Sequence, residues 1–383
     1  MVGSLDQATA RQSAWRRART LLRRVLLGVA LVAYTLAFGE AYVRIFAPQP
    51  VMPRYVTGTP WGMRGNIPHA VYWHHTPEVD VEYRINGQGM RAEHDFALHK
   101  PAGTCRIALF GDSLLMGYEL DLRDTFATRL EATLRARGYR VEVLNFSVSG
   151  FGTAEMLRTY EAYARQFDPD IVMFSWHVTD ADDNVRSQLF RLRDGKLESA
   201  NSAYLPGIAT QDLLMKSSVY RFVADHSELY ALLREQSGVF MKRFLAQLFK
   251  QRAVTRDADA SDDTDAIDED DPRHRANAQL SSAIVAHAAE VVQHDGREFH
   301  MLEIPVRVSR TKFRSSIALL DDRVRAQAHV ISPLGAFERV ARPDLKLYYE
   351  QGEGHFTAAG AQLLVDATDA ALTGSAHLAA CKL

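Results

Sequence analysis

Ser113 stands where an apolar run stops. In RIALFGDSLLMGYEL, residues 106–120, Ile107 to Phe110 read as a buried strand, Gly111 and Asp112 break it, and a small hydroxyl residue opens the next apolar stretch. A hydroxyl at a strand-to-helix turn projects into a crevice while the amides of the following turn point to the same place. A carbonyl oxygen can be held there as negative charge develops on it. The alternative is that Ser113 only caps the next helix. Fourteen histidines are present, but the tight pair His74-His75 has no Cys or His partner at metal-ligand spacing, so no metal or other cofactor is expected. The two cysteines, Cys105 and Cys381, fit either one disulfide in an oxidising compartment or two buried thiols.

The elements around Ser113 alternate. Apolar segments at 106–110, 139–146 and 170–176 read as strands, and helical spacing covers 125–137, with Phe126, Leu130 and Leu134 on one face, and 155–167. Strand, helix, strand, helix, strand implies right-handed crossovers and a parallel sheet covered on both faces. Ligands of open α/β sheets bind beyond the carboxyl ends of the strands, which is where Ser113 lies. The pattern breaks at residues 186–255, which read as a helical insertion, and the acid-rich run at 256–273 lacks the Gly and terminal Glu of an EF-hand loop, so it reads as a solvated, disordered loop. A helix at 276–293, a strand at 298–306, a short strand at 345–349 and a closing helix at 357–372 complete the domain.

Composition and the N-terminus narrow the class. With 383 residues and 47% hydrophobic composition the chain fills a real core, and a net charge of -2 leaves no basic field for nucleic acid. Arg16, Arg17, Arg19, Arg23 and Arg24 precede fifteen uncharged residues, 25–39, and the apolar character resumes after Glu40 as far as Ala47. Fifteen residues rise only about 22 Å as a helix, so a span needs the extension, with Glu40 and Arg44 at the far interface. Arginines on the N-terminal side hold that side in the cytoplasm. A cleaved signal peptide ending near Ala37-Phe38-Gly39 competes; the arginine cluster and the length of the run favour an uncleaved anchor.

FGDSLLMGYE, NFSVSGFGT, WHVTDADDN and EGHFTAAGAQLL follow one another in an order that resembles the blocks of the GDSL, or SGNH, hydrolase family. The resemblance covers about residues 103–182 and 295–372, and the lead-in before Gly111 is similar to that of membrane-anchored bacterial members. It implies a flavodoxin-like α/β fold, a three-layer α/β/α sandwich with a central parallel sheet, plus the N-terminal transmembrane helix. The division is then a cytoplasmic basic segment at 1–24, a signal anchor at 25–47, an extracytoplasmic lead-in at 48–100 and a hydrolase-like domain at 101–375.

Carried over by position, the resemblance makes Ser113 the nucleophile and its own amide one oxyanion donor, with Gly150 as the second donor and Gly152 beside it as a candidate. The third block departs from the family pattern: Thr179 stands where an asparagine is usual, with Asn184 and His177 as substitutes. His355 is the base. Gly352 occupies the usual position of the acid, so Glu353 is the expected partner of His355, with Glu350 as second choice and Asp112 a secondary candidate. The implied activity is serine esterase chemistry on carboxylic, O-acetyl, esters of a cell-envelope or secreted polysaccharide, without cofactor. The catalytic domain would lie on the periplasmic side of the bacterial inner membrane, with an acylated carbohydrate and the membrane as partners. An O-acyltransferase using the same serine and a carbohydrate-binding pseudoenzyme are the alternatives.

Overall fold

The computed structural model describes residues 3–51, 53–234, 236, 272–351 and 354–382. The first element, α1 (Gly3–Phe46), is a single helix whose part from Trp15 onward is long and apolar enough to cross a membrane; its apolar stretch is exposed, and its C-terminal end, with Val43 buried, packs against the rest of the chain. Two antiparallel hairpins follow in the lead-in, Val56–Gly58 with Arg64–Asn66 and Val71–His75 with Asp80–Arg84.

The central sheet comes next. Its strands are β1 (Cys105–Phe110), β2 (Val141–Asn145), β3 (Ile171–Trp176), β4 (Glu298–Glu303) and β5 (Val330–Ile331), all parallel, in the order β5-β4-β3-β1-β2. Between them run α2 (Phe126–Ala136), α3 (Thr153–Ala162), α4 (Asp180–Ser187), α5 (Ile208–Leu214), α6 (Ser218–His226) and α7 (Pro272–His294), and α8 (Ala358–Leu372) follows β5. Every residue of β1 and β3 is buried, as central parallel strands require when helices cover both faces. The pleat sorts their side chains. Ala108 and Phe110 join the core under α3 and α7, while Ile107 and Leu109 join the core under α2 and α8. The fold is therefore the expected α/β/α sandwich.

Two expectations need correction. Residues 345–349 form no strand of the sheet; Tyr348 makes one isolated bridge to Phe356, and the fifth strand is the two-residue β5 beside β4. Leu347 and Tyr348 are buried against the α8 side of the core, so the apolar character there comes from a packed turn rather than from a ladder. The insertion also carries a β-hairpin, Phe190–Arg193 with Lys196–Ser199, before α5 and α6. Its end, and nearly all of the acidic run, lie outside the described residues.

Cys105 and Cys381 are joined, with Cα atoms 5.7 Å apart and 276 residues between them in sequence. The bond ties the first residue of β1 to the C-terminal end of the chain, closing a loop that spans the whole sandwich. Replacing both cysteines by serine is expected to lower unfolding stability by about 2–5 kcal/mol, since the unfolded chain regains the freedom of that loop. Denaturant titration of the two proteins checks this; equal midpoints and slopes would mean that the bond constrains nothing.

Candidate active site

Three strand ends build the site. Gly111 follows β1 because nothing larger fits: a Cβ there would stand 2.5 Å from Ser175 Oγ and 2.6 Å from Leu115 Cβ. Asp112 then caps the one-turn helix Ser113–Met116, accepting the Leu114 amide at 2.8 Å, so the capping role belongs to Asp112 and leaves the Ser113 hydroxyl available. After β2 the chain stays beside β1, with Phe146 N donating to Leu109 O at 2.8 Å and Val148 N to Gly111 O at 3.0 Å. This carries Gly150, at φ 73°, toward the turn that bears Ser113.

The geometry brings Ser113 and His355 together across 242 residues of sequence: Ser113 Oγ lies 2.7 Å from His355 Nε2. Among the described residues the Ser113 and Gly150 amides donate to no acceptor, whereas the Gly152 amide is held by Glu155 Oε2 at 2.9 Å. Gly152 is thereby removed as an oxyanion donor. Arg64, from the lead-in hairpin, donates to Gly150 O at 2.5 Å and pairs with Glu155 at 3.2 Å, so the loop's carbonyl is fixed and its N–H is left over. Burial pushes Glu155 up to about 7, against the opposing charge of Arg64.

The third block arranges differently from its expected use. Thr179 is exposed, and its Oγ1 lies 2.9 Å from His177 Nδ1. His177 is half-buried, and its backbone N–H donates to Asp180 at 2.9 Å. Burial lowers the pKa of His177, the Asp112 charge opposes that shift and His355 adds to it. Asn184 is spent elsewhere. Its amide donates to Thr153 Oγ1 at 2.8 Å and to Ser281 Oγ at 2.9 Å, and its oxygen accepts the Ala154 amide at 2.8 Å, so it fastens α3, α4 and α7 rather than facing a substrate.

Among the described residues, the acid beside His355 is one that sequence reasoning passed over. Glu353 lies outside the described residues, and Glu350 turns to Arg310, whose Nε donates to it at 2.7 Å. Among the described residues, Glu119 is the acid beside the ring. Fully buried and with a left-handed backbone (φ 64°), it places Oε2 3.4 Å from His355 Nδ1 and accepts the His355 amide at 3.2 Å. The ring contact is too poorly aligned for a hydrogen bond, and among the described residues Nδ1 has no other partner. Contacts of this kind tighten when substrate binds. His74, also fully buried, feels the same carboxylate; burial pushes it down to about 4, with Glu119 opposing the shift, so it is neutral at pH 7. Buried Arg91 donates to the carbonyls of Met116, Gly117 and Leu120 and shapes the turn that holds Glu119.

A cavity of about 210 Å³ lies next to Arg64, lined by Trp61, Asn66, Gln88, Phe151 and Tyr163 among others, with Trp61 and Tyr163 stacked at 4.3 Å. At the opposite end of the sheet, where β4 begins, Glu298, His300 and His329 bring three possible ligand atoms within 4.8 Å. Glu298 is already engaged there by His300 at 2.7 Å and by Ser375 at 2.5 Å.

No family model matches this sequence, and no curated protein matches it. Solved structures do. The lipase/acylhydrolase from Enterococcus faecalis is 15% identical, with 70% of this chain and 96% of that one covered at a TM-score of 0.36. The acetyl xylan esterase AlAXEase is 9% identical, covering 70% and 99% at a TM-score of 0.36. A GDSL-like lipase from Bacteroides thetaiotaomicron is 10% identical, covering 70% and 87% at a TM-score of 0.32.

Proposed function

We propose that the chain is a serine esterase that hydrolyses O-acetyl or similar carboxylic esters of a carbohydrate. The observation that carries this reading is the Ser113–His355 contact of 2.7 Å beside two unengaged amides. His355 Nε2 takes the Ser113 proton as Oγ attacks the ester carbonyl, and the amides of Ser113 and Gly150 receive the oxyanion. His355 then returns the proton to the departing alcohol, and water releases the acid by the same steps in reverse order of proton transfer. Glu119 orients the imidazole and stabilises its cation.

The third donor in this reading is His177. Thr179 donates its hydroxyl to Nδ1, which fixes the proton on Nε2, and the lowered pKa keeps the ring neutral with that N–H available. His177→Ala is expected to lower kcat about 10²- to 10³-fold with KM little changed, because the bond matters mainly in the transition state. Thr179→Val should cost less, since the tautomer is then merely unfixed. The reverse order of effects would make Thr179 itself the donor.

The apolar helix, the arginines before it and the Cys105–Cys381 disulfide support a periplasmic domain anchored in the bacterial inner membrane. The cavity lined by Arg64, which holds the Gly150 carbonyl, is not lined by Ser113 or His355, and its aromatic and amide groups are of the kind that binds a sugar next to the reacting ester. Full-length protein in detergent, given an acetylated oligosaccharide, is expected to release acetate. Acetyl transfer to an added unacetylated glycan would make it an acyltransferase instead, and silence with retained glycan binding would make it a binding protein.

A further inference from the structure

The apolar helix does not stand apart from the domain. Near its C-terminal end, Glu40 accepts hydrogen bonds from Ser227 Oγ (2.7 Å), Glu228 N (3.0 Å) and Leu229 N (3.1 Å), and it holds Arg44 Nε at 2.7 Å. One carboxylate from α1 thus caps the helical turns at 228–234, and Arg44 also donates to His226 O at 2.6 Å. The approach is close: a Cβ at Gly39 would stand 3.1 Å from Leu229 Cδ2.

The depth of these contacts follows from the rise of the helix. Arg24 and Arg44 are twenty residues apart, about 30 Å, which equals the thickness of a hydrocarbon core. Glu40 then falls roughly 6 Å inside the outer boundary. A carboxylate at that depth is costly unless it is satisfied from within the protein, and the turn at 227–229 satisfies it. That turn must therefore lie at the same depth as Glu40.

The side chains around it suit lipid. Val219 is 72% exposed, Phe222 67%, Leu213 66% and Leu233 55%, and among the described residues outside α1 the other exposed large apolar side chains are the pair Val71 and Trp73 on one strand, Leu214 and Leu205 near this face, and single residues. A cleft of about 440 Å³ between α1 and α6 is lined by Leu36, Ala37, Phe222, Val223, Leu229 and Leu233 among others, an apolar volume that suits part of an acyl chain. Exposed Lys216 and Arg221 border this apolar face, where lipid phosphates would meet them. We infer that α5, α6 and the helical turns at 228–234 dip into the outer leaflet beside α1, with bilayer lipid as their partner, and seat the domain on the membrane at a fixed height. The inference rests on the membrane-anchor reading of α1.

Nitroxide labels on full-length protein in phosphatidylethanolamine–phosphatidylglycerol vesicles test both readings separately. A label at Val29→Cys reports on the anchor, labels at Val219→Cys, Phe222→Cys and Leu233→Cys on the inserted helices, and one at Lys312→Cys on water. The three helix labels are expected to lose collision with a water-soluble nickel relaxant while gaining collision with oxygen, as the Val29→Cys label does. If Val29→Cys is in lipid while the three labels behave like Lys312→Cys, the inference is overturned and the anchor stands. If Val29→Cys itself is in water, the anchor reading fails and the inference goes with it. Shielding of the three labels from both relaxants also overturns it: spin–spin broadening removed by dilution with unlabelled protein would assign the face to a second copy, and no broadening would mean that protein rather than lipid covers it.

Discussion

Ser113→Ala is expected to remove ester hydrolysis, with kcat falling roughly 10⁴-fold or more and KM almost unchanged. The hydroxyl is the only atom lost, and Asp112 rather than Ser113 caps the following turn, so the substitution leaves the local structure supported. What remains in the variant is the pair of amides and the base, which bind the carbonyl but have no nucleophile to offer it. A fluorophosphonate probe should label the wild type at Ser113 and fail to label the variant. Equal labelling, or retained turnover, would place the nucleophile elsewhere and dissolve the catalytic reading of the Ser113–His355 contact.

The parts of this site that the sequence revealed are those whose signal is local. Ile107 to Phe110 form an uninterrupted apolar run because β1 is covered on both faces, and Gly111 marks a backbone that Ser175 and Leu115 approach too closely for any side chain. β5 escaped notice because two paired residues are too short to carry a period. Leu345 to Tyr349 imitated a strand because Leu347 and Tyr348 pack inward from a turn. The lead-in hid two hairpins: DVEYR alternates but VYWHH does not, and the Pro and Gly residues around them carry the signal of a loop.

Glu119 was hidden for a different reason. Its position depends on a left-handed backbone, on the Arg91 bonds that hold the turn and on the burial of His74 against it, all of which come from segments distant in sequence. The available signals were a lone acid within the apolar stretch LLMGYEL and a histidine, His74, inside an alternating strand. Each is weak alone. Only the fold puts them on one side of His355. By contrast His355 lay in a block that resembled a known pattern, so its distance from Ser113 in sequence was no obstacle.

Glu119→Gln is accordingly expected to lower kcat about 10²- to 10⁴-fold while KM changes little, since the carboxylate acts on His355 and not on the substrate. Glutamine keeps the volume and one acceptor for the His355 amide, which now binds Oε2 at 3.2 Å, so packing and the turn should survive. What it loses is the negative charge that favours the imidazolium formed when Ser113 gives up its proton. Fluorophosphonate labelling should therefore be slowed rather than abolished, and thermal melting should show a folded protein. Glu353→Ala, made in parallel, separates the two candidate acids, because the family pattern points to the loop before His355 and the geometry points to the turn after Ser113. If Glu353→Ala carries the loss and Glu119→Gln turns over at the wild-type rate, the acid comes from the loop, and the buried Glu119 would serve only to tie the His355 amide to the turn.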